Sequence, residues 1–214
     1  MWQRFSGIAL ALGVLLVGVS PASAQLFNFP FYAVPSANGA PSTFFAGTYG
    51  RGLSDSSGKA DSYGAVIGRT GEAAWFGGGR GVGDGGGDSE LTRGASVGVD
   101  LVEGESATVA FNGGFGWTGP GDATFLRFPL GIAIKGAVQS PEALITPWVM
   151  PRLEIMRVSA SGFSSTDSEL GASAGVGFTF SSGFGLHTAL DAVFADNTVW
   201  LFGIGGHYMV GSGN

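Results

Sequence analysis

From Ser42 onward the chain alternates large apolar with small or polar residues, in runs broken by clusters of Gly, Ser, Asp and Asn. A period of two predicts β-strands whose two faces meet different media. Ten runs can be marked, near 43–53, 62–70, 72–82, 90–102, 106–117, 123–136, 142–158, 168–180, 184–194 and 197–210. In the sixth, Thr124, Leu126, Phe128, Leu130, Ile132 and Ile134 share a face opposite Phe125, Arg127, Pro129, Gly131, Ala133 and Lys135. The ninth sets Phe184, Leu186, Leu190 and Phe194 against Gly185, His187, Ala189 and Asp191. In the tenth, Trp200, Phe202, Ile204, Tyr208 and Val210 oppose Gly203, Gly205, His207 and Met209. The early runs are weaker, and in the third Trp75 stands nearly alone on its side.

Run length and face chemistry decide what the alternation means. The runs reach the roughly 9–11 residues that a tilted strand needs to cross hydrocarbon, above the soluble mode of about 5–6. The second face is mostly Gly, Ala, Ser and Thr, and Lys59 and Lys135 are the only lysines, whereas soluble sheets guard their edges with lysine. The expected fold is all-β: an antiparallel up-and-down transmembrane β-barrel of about ten strands, with eight as the smaller alternative. Large apolar residues would face lipid and small ones a narrow lumen. The ring must close, because lipid cannot satisfy a sheet edge. Aromatics near run ends, namely Trp117, Phe180, Phe184, Trp200 and Tyr208, suit interfacial girdles. The rival reading is plain β-propensity in a soluble core. Outer connections fall near 54–61, 83–89, 118–122, 159–167 and 195–196, none of them long, which argues against a large receptor-binding surface.

Composition narrows the class further. Of 214 residues, 40 are Gly, 17 are Phe, none is Cys and 12% are charged, which suits neither a disordered nor a helical chain. A net charge of −6 without a basic run excludes nucleic acid as a partner. Without cysteine there are no disulfides, thiolate nucleophiles or zinc–thiolate sites. Residues 1–24 read as a cleavable signal peptide: Arg4, an apolar run from Ile8 to Val19, then Ala22-Ser23-Ala24 before the cut. That run of about twelve residues is too short for a spanning helix of roughly 20. Residues 25–41 hold Phe27, Phe29, Phe31 and Tyr32 among Pro30, Pro35 and Pro41, and predict an extended leader before a barrel domain over 42–214.

The signal, the alternating strands and the last strand together resemble a small Gram-negative outer-membrane β-barrel protein. Such proteins end in an assembly signal of the form Gly-x-x-hydrophobic-x-hydrophobic, usually closing on an aromatic. Gly205-Gly206-His207-Tyr208-Met209-Val210 fits its core, with Gly205, Tyr208 and Val210 at the marked positions. Gly203 stands where a polar residue is typical, and Gly211 to Asn214 follow the signal. The resemblance covers 42–210 at the level of architecture and points to no subfamily. It implies residence in the bacterial outer membrane after cleavage near Ala24, contact with outer-membrane lipid, and insertion by the barrel-assembly machinery.

Candidate chemistry is sparse. His187 and His207 are the only histidines, and parity places both inside, near the periplasmic ends of neighbouring strands. Asp191 lies four residues from His187, roughly 13 Å along a strand, too far for a catalytic pair. No tight metal-ligand spacing exists, so no metal or cofactor is expected. Asp84-Gly85-Gly86-Gly87-Asp88-Ser89-Glu90 lacks the ligand order of a calcium loop, and Gly77 to Gly83 has no helix after it to hold phosphate.

By parity, Arg80, Asp100, Arg127, Lys135, Arg152, Glu154, Glu169 and Asp191 face the lumen. Charges of both signs in a confined interior predict an ion-pair ladder, or a charged ring biasing small solutes. Inward glycines favour some open volume. The leading expectation is an integral outer-membrane barrel with a structural or surface role and at most a narrow passage for small solutes. The alternatives are a diffusion channel lined by Arg127, Lys135 and Arg152, or an outer-membrane lipid-modifying or proteolytic enzyme using His187 or His207.

Overall fold

A computed structural model describes residues 41–55, 59–84, 90–119 and 122–211. The signal peptide, all but the last residue of the leader, and Gly85 to Ser89 lie outside the described residues.

Among the described residues the strands are β1 (Ser42–Gly52), β2 (Asp61–Thr70), β3 (Ala74–Asp84), β4 (Glu90–Glu103), β5 (Ala107–Thr118), β6 (Thr124–Gly136), β7 (Val138–Gln139), β8 (Ala143–Ala160), β9 (Phe163–Phe180), β10 (Phe184–Phe194) and β11 (Val199–Val210). Each long strand pairs antiparallel with its neighbours in sequence, β6 pairs with β8, and β1 closes on β11 from Thr43↔Val210 to Gly52↔Leu201. The result is a closed ten-stranded barrel. The two-residue β7 is an extra strand that adds to β8 within the connection that follows β6.

Alternation sets inside from outside. In β6, Arg127, Pro129, Gly131, Ala133 and Lys135 are buried, while Leu130, Ile132 and Ile134 are exposed. The same alternation puts Phe45, Ile67, Phe76, Val97, Leu153, Leu186 and Ile204 on the outer surface. An apolar belt of this extent on a closed, polar-cored barrel needs lipid around it. Phe180 and Phe184 stack with centroids 6.4 Å apart at the end holding Ser42 and Val210, and Tyr208 lies across from Phe184. Trp200 and the Tyr49–Tyr63 pair mark the opposite end. These aromatics form the two interfacial girdles.

Three features differ from the sequence expectation. In the glycine-rich β3, alternation is too weak to set the phase, but the pairing Thr70↔Trp75 turns Trp75 inward. Arg80 is therefore on the outer face, opposite Arg93, and is not a lumen residue. Secondly, the connection expected near 159–167 is a hairpin. β8 and β9 run 18 residues each and turn at Ser161-Gly162, with Gly162 at φ 74°, a backbone that glycine adopts without strain. Phe163 to Glu169 reads as a turn cluster because it is rich in Ser, Thr and Asp. It pairs with β8 throughout, but β10 reaches only to Leu170. β9 thus runs past β10 from Glu169 out to Phe163, while β8 stays paired with β6 as far as Ser159. Thirdly, Leu101 is an extra residue between the pairs Asp100↔Ala110 and Val102↔Val109, a bulge that leaves both Leu101 and Val102 exposed.

Candidate functional site

The interior is the part of the molecule with chemistry. The inward glycines do not leave it open. Phe44 has Gly68 as its partner on β2, and Gly77 follows on β3; Trp75 faces Gly98, and Trp148 faces Gly175. Arg152 lies between Gly131 and Gly171. A methyl group at Gly68 would run into Phe44, one at Gly98 into Trp75, and one at Gly175 into Trp148. Phe44, Trp75 and Trp148 each lie over the place where a cross-strand neighbour has no Cβ. Phe44, Trp75, Trp148, Met150, Leu201 and Met209 belong to one buried cluster, so the expectation of open volume is corrected to a filled barrel.

Above this cluster, four strands contribute one charged network. Glu154 on β8 accepts from Arg127 on β6, Nε to Oε2 at 2.7 Å, and from Nε of Arg152 on its own strand. Arg152 reaches two strands on to Asp191, with Nη2–Oδ2 at 2.8 Å and Nη1–Oδ1 at 2.7 Å, and also donates to Ser173. Ser173 Oγ donates to Asp191 at 2.5 Å. Two guanidinium groups and two carboxylates balance one another, and all are nearly or completely buried. Arg152 and Glu154 share the inward parity of β8 with Thr146, Trp148 and Met150, and Asp191 shares that of β10 with Gly185, His187 and Ala189. Lys135 and Asp100 form a second pair, 2.6 Å apart, toward the barrel end that holds Ser42 and Val210. Glu169 is half-buried on the inward face near the outer rim, directly opposite Glu154.

His187 and His207 meet through their Nδ1 atoms at 3.4 Å, with ring planes only 11° apart. Thr48 Oγ1 is 3.4 Å from His187 Nε2, and Thr179 Oγ1 is 3.1 Å from His207 Nε2. Neither ring touches a carboxylate in these contacts. Asp191 is held by Arg152 and Ser173 rather than by His187. Among the described residues, no cluster of three or more His, Cys, Asp or Glu side chains is placed to hold a metal ion.

Of the residues expected to form an assembly signal, Tyr208 and Val210 point outward and Gly205 inward. Arg93, which sequence reasoning did not single out, stacks over Trp117 with its guanidinium carbon 5.3 Å from the ring centroid. Its signal was present in the register of two adjacent strands but in neither strand alone.

No protein-family model matches the chain, and no curated protein sequence matches it. Among solved structures, it is similar to the β-domain of the Bordetella autotransporter BrkA at 12% identity and TM-score 0.52, covering 79% of this chain and 99% of that one. The translocator domain of the autotransporter NalP from Neisseria meningitidis aligns at 13% identity and TM-score 0.46, covering 96% of this chain and 97% of that one. The N-terminal β-barrel domain of Pseudomonas aeruginosa OprF aligns at 14% identity and TM-score 0.38, over 78% of this chain and 96% of that one. The fold is that of the outer-membrane β-barrels, and the chain's own apolar belt and closed ring agree with it.

Proposed function

We propose that this protein is an integral outer-membrane barrel, plugged by its own side chains, that serves a structural or surface-presenting role rather than solute diffusion. The supporting observation is the neutral Arg127–Glu154–Arg152–Asp191 network packed over the aromatic cluster. A selective channel needs lining charges free to meet the solute. Here Arg127, Lys135 and Arg152 each bind a carboxylate at close range. The hairpin of β8 and β9 is the element that this reading assigns to the cell surface. Insertion through β11 by the barrel-assembly machinery is part of the same proposal, as is contact with outer-membrane lipid. The histidines are read as interior hydrogen-bonding groups, because both rings are engaged by each other and by threonines.

Planar-bilayer recording of the refolded mature protein tests the reading. The expected result is no steady single-channel conductance. Discrete conductance steps whose ion preference changes in Arg127→Glu would establish the diffusion channel instead.

A further inference from the structure

Arg80 and Arg93 are direct cross-strand partners on the lipid-facing side of β3 and β4. Both are exposed, and Arg93 lies three residues from the outer end of its strand at Glu90. Like charges placed opposite each other repel. Around them on the same face stand Tyr63, Ala65, Val82, Leu91, Ala95 and Phe115, with no carboxylate. On β2, Asp61 at the end of the strand is committed to Tyr49 at 2.7 Å and to Arg51 at 3.5 Å. Among the described residues, neither Arg80 nor Arg93 has an acidic partner, while the interior arginines and both lysines do.

We infer that Arg80 and Arg93 form a binding site for a phosphate group of an anionic lipid in the outer leaflet. Two guanidinium forks side by side offer paired N–H donors to the oxygens of one phosphate, which also relieves their mutual repulsion. Trp117 holds Arg93 at the height of the aromatic girdle, where lipid head groups begin. The apolar residues beneath are suited to the lipid's acyl chains and not to a free ion in water. Long side chains in this zone direct their charge toward the head groups. The site rests on the proposed outer-membrane residence and gives the outer surface of the barrel a specific lipid chemistry.

Native mass spectrometry of the folded mature protein in detergent tests it, with diphosphorylated lipid A and its dephosphorylated form as probes. The wild type should retain the phosphorylated lipid about tenfold more tightly, and Arg80→Gln/Arg93→Gln should lose that preference. Arg69→Gln, at the opposite end of β2, should keep it. Millimolar inorganic phosphate should leave the bound lipid in place, and its displacement would mark a site for the free ion and overturn the inference. Equal retention of the two lipids by the wild type overturns it without reference to any variant, as does an equal loss in Arg69→Gln. Fractionation that finds the protein outside the outer membrane overturns both this inference and the function it rests on. A membrane-resident barrel without phosphate preference overturns this inference alone.

Discussion

Gly205 lies directly opposite His187 across β10 and β11, and the imidazole occupies the space a side chain at Gly205 would need. The reciprocal pair is Gly185 and His207, so two glycines make room for two rings that meet at 3.4 Å. Gly205→Ala is expected to displace His187 and to press on the backbone carbonyl of Gly47. Overpacking of this kind costs about 1–3 kcal/mol. Gly206→Ala, whose methyl would meet Phe184 and Leu186 at ordinary contact distances of 3.8 and 3.9 Å, should stay within about 0.5 kcal/mol of wild type. Urea titration in micelles, read by the folded and unfolded gel bands, distinguishes the two.

Glu154 joins both interior arginines, so its charge holds the network together. Glu154→Gln leaves Arg127 without its carboxylate and Arg152 with Asp191 alone. Removing one partner from a buried ion cluster costs about 3–5 kcal/mol. Glu169→Gln, directly opposite but half-buried near the rim, should change stability by less than about 0.5 kcal/mol. Equal effects in the same urea titration would show that the network contributes nothing particular.

Trp75 is the inward aromatic of β3 and packs edge-on to Phe44 with centroids 6.5 Å apart. Trp75→Ala should lower stability by about 3–5 kcal/mol through lost burial and an interior void. Phe76→Ala, on the lipid side of the same strand, should be milder, because lipid refills the space. The unfolding midpoints of the two variants give the order.

The β8–β9 hairpin turns at the barrel end opposite Ser42 and Val210, where β9 runs past β10. Protease added to intact cells should cut near Ser161-Gly162 and leave both barrel halves associated until the sample is boiled. Cleavage only after the outer membrane is opened would reverse the orientation.

Strand positions and facing were legible wherever one face carries large apolar residues and the other small ones. β6, β10 and β11 follow their sequence patterns almost residue for residue. β3 was not legible, because five of its eleven residues are glycine and parity counted from one tryptophan has no check. Its phase is settled by β2, through Thr70↔Trp75. The outer half of β9 was hidden by Ser and Thr, which read equally as turn or as solvent-exposed strand. The interior was legible as a set of charges but not as a network. Arg127 and Glu154 lie 27 residues apart, and only the order and register of the strands bring them together. The same holds for the glycine niches. A glycine in one strand says nothing about the tryptophan or histidine that its partner strand will place over it.

The central claim is that the alternating strands close into a barrel whose outer face meets lipid. Heat-modifiability tests it most directly. Outer-membrane fractions are washed with carbonate and run on a detergent gel with and without boiling. The predicted result is a protein that stays in the membrane and migrates as two bands, the unboiled one shifted by its intact barrel. A protein released by the wash, with the same mobility before and after boiling, would contradict the account.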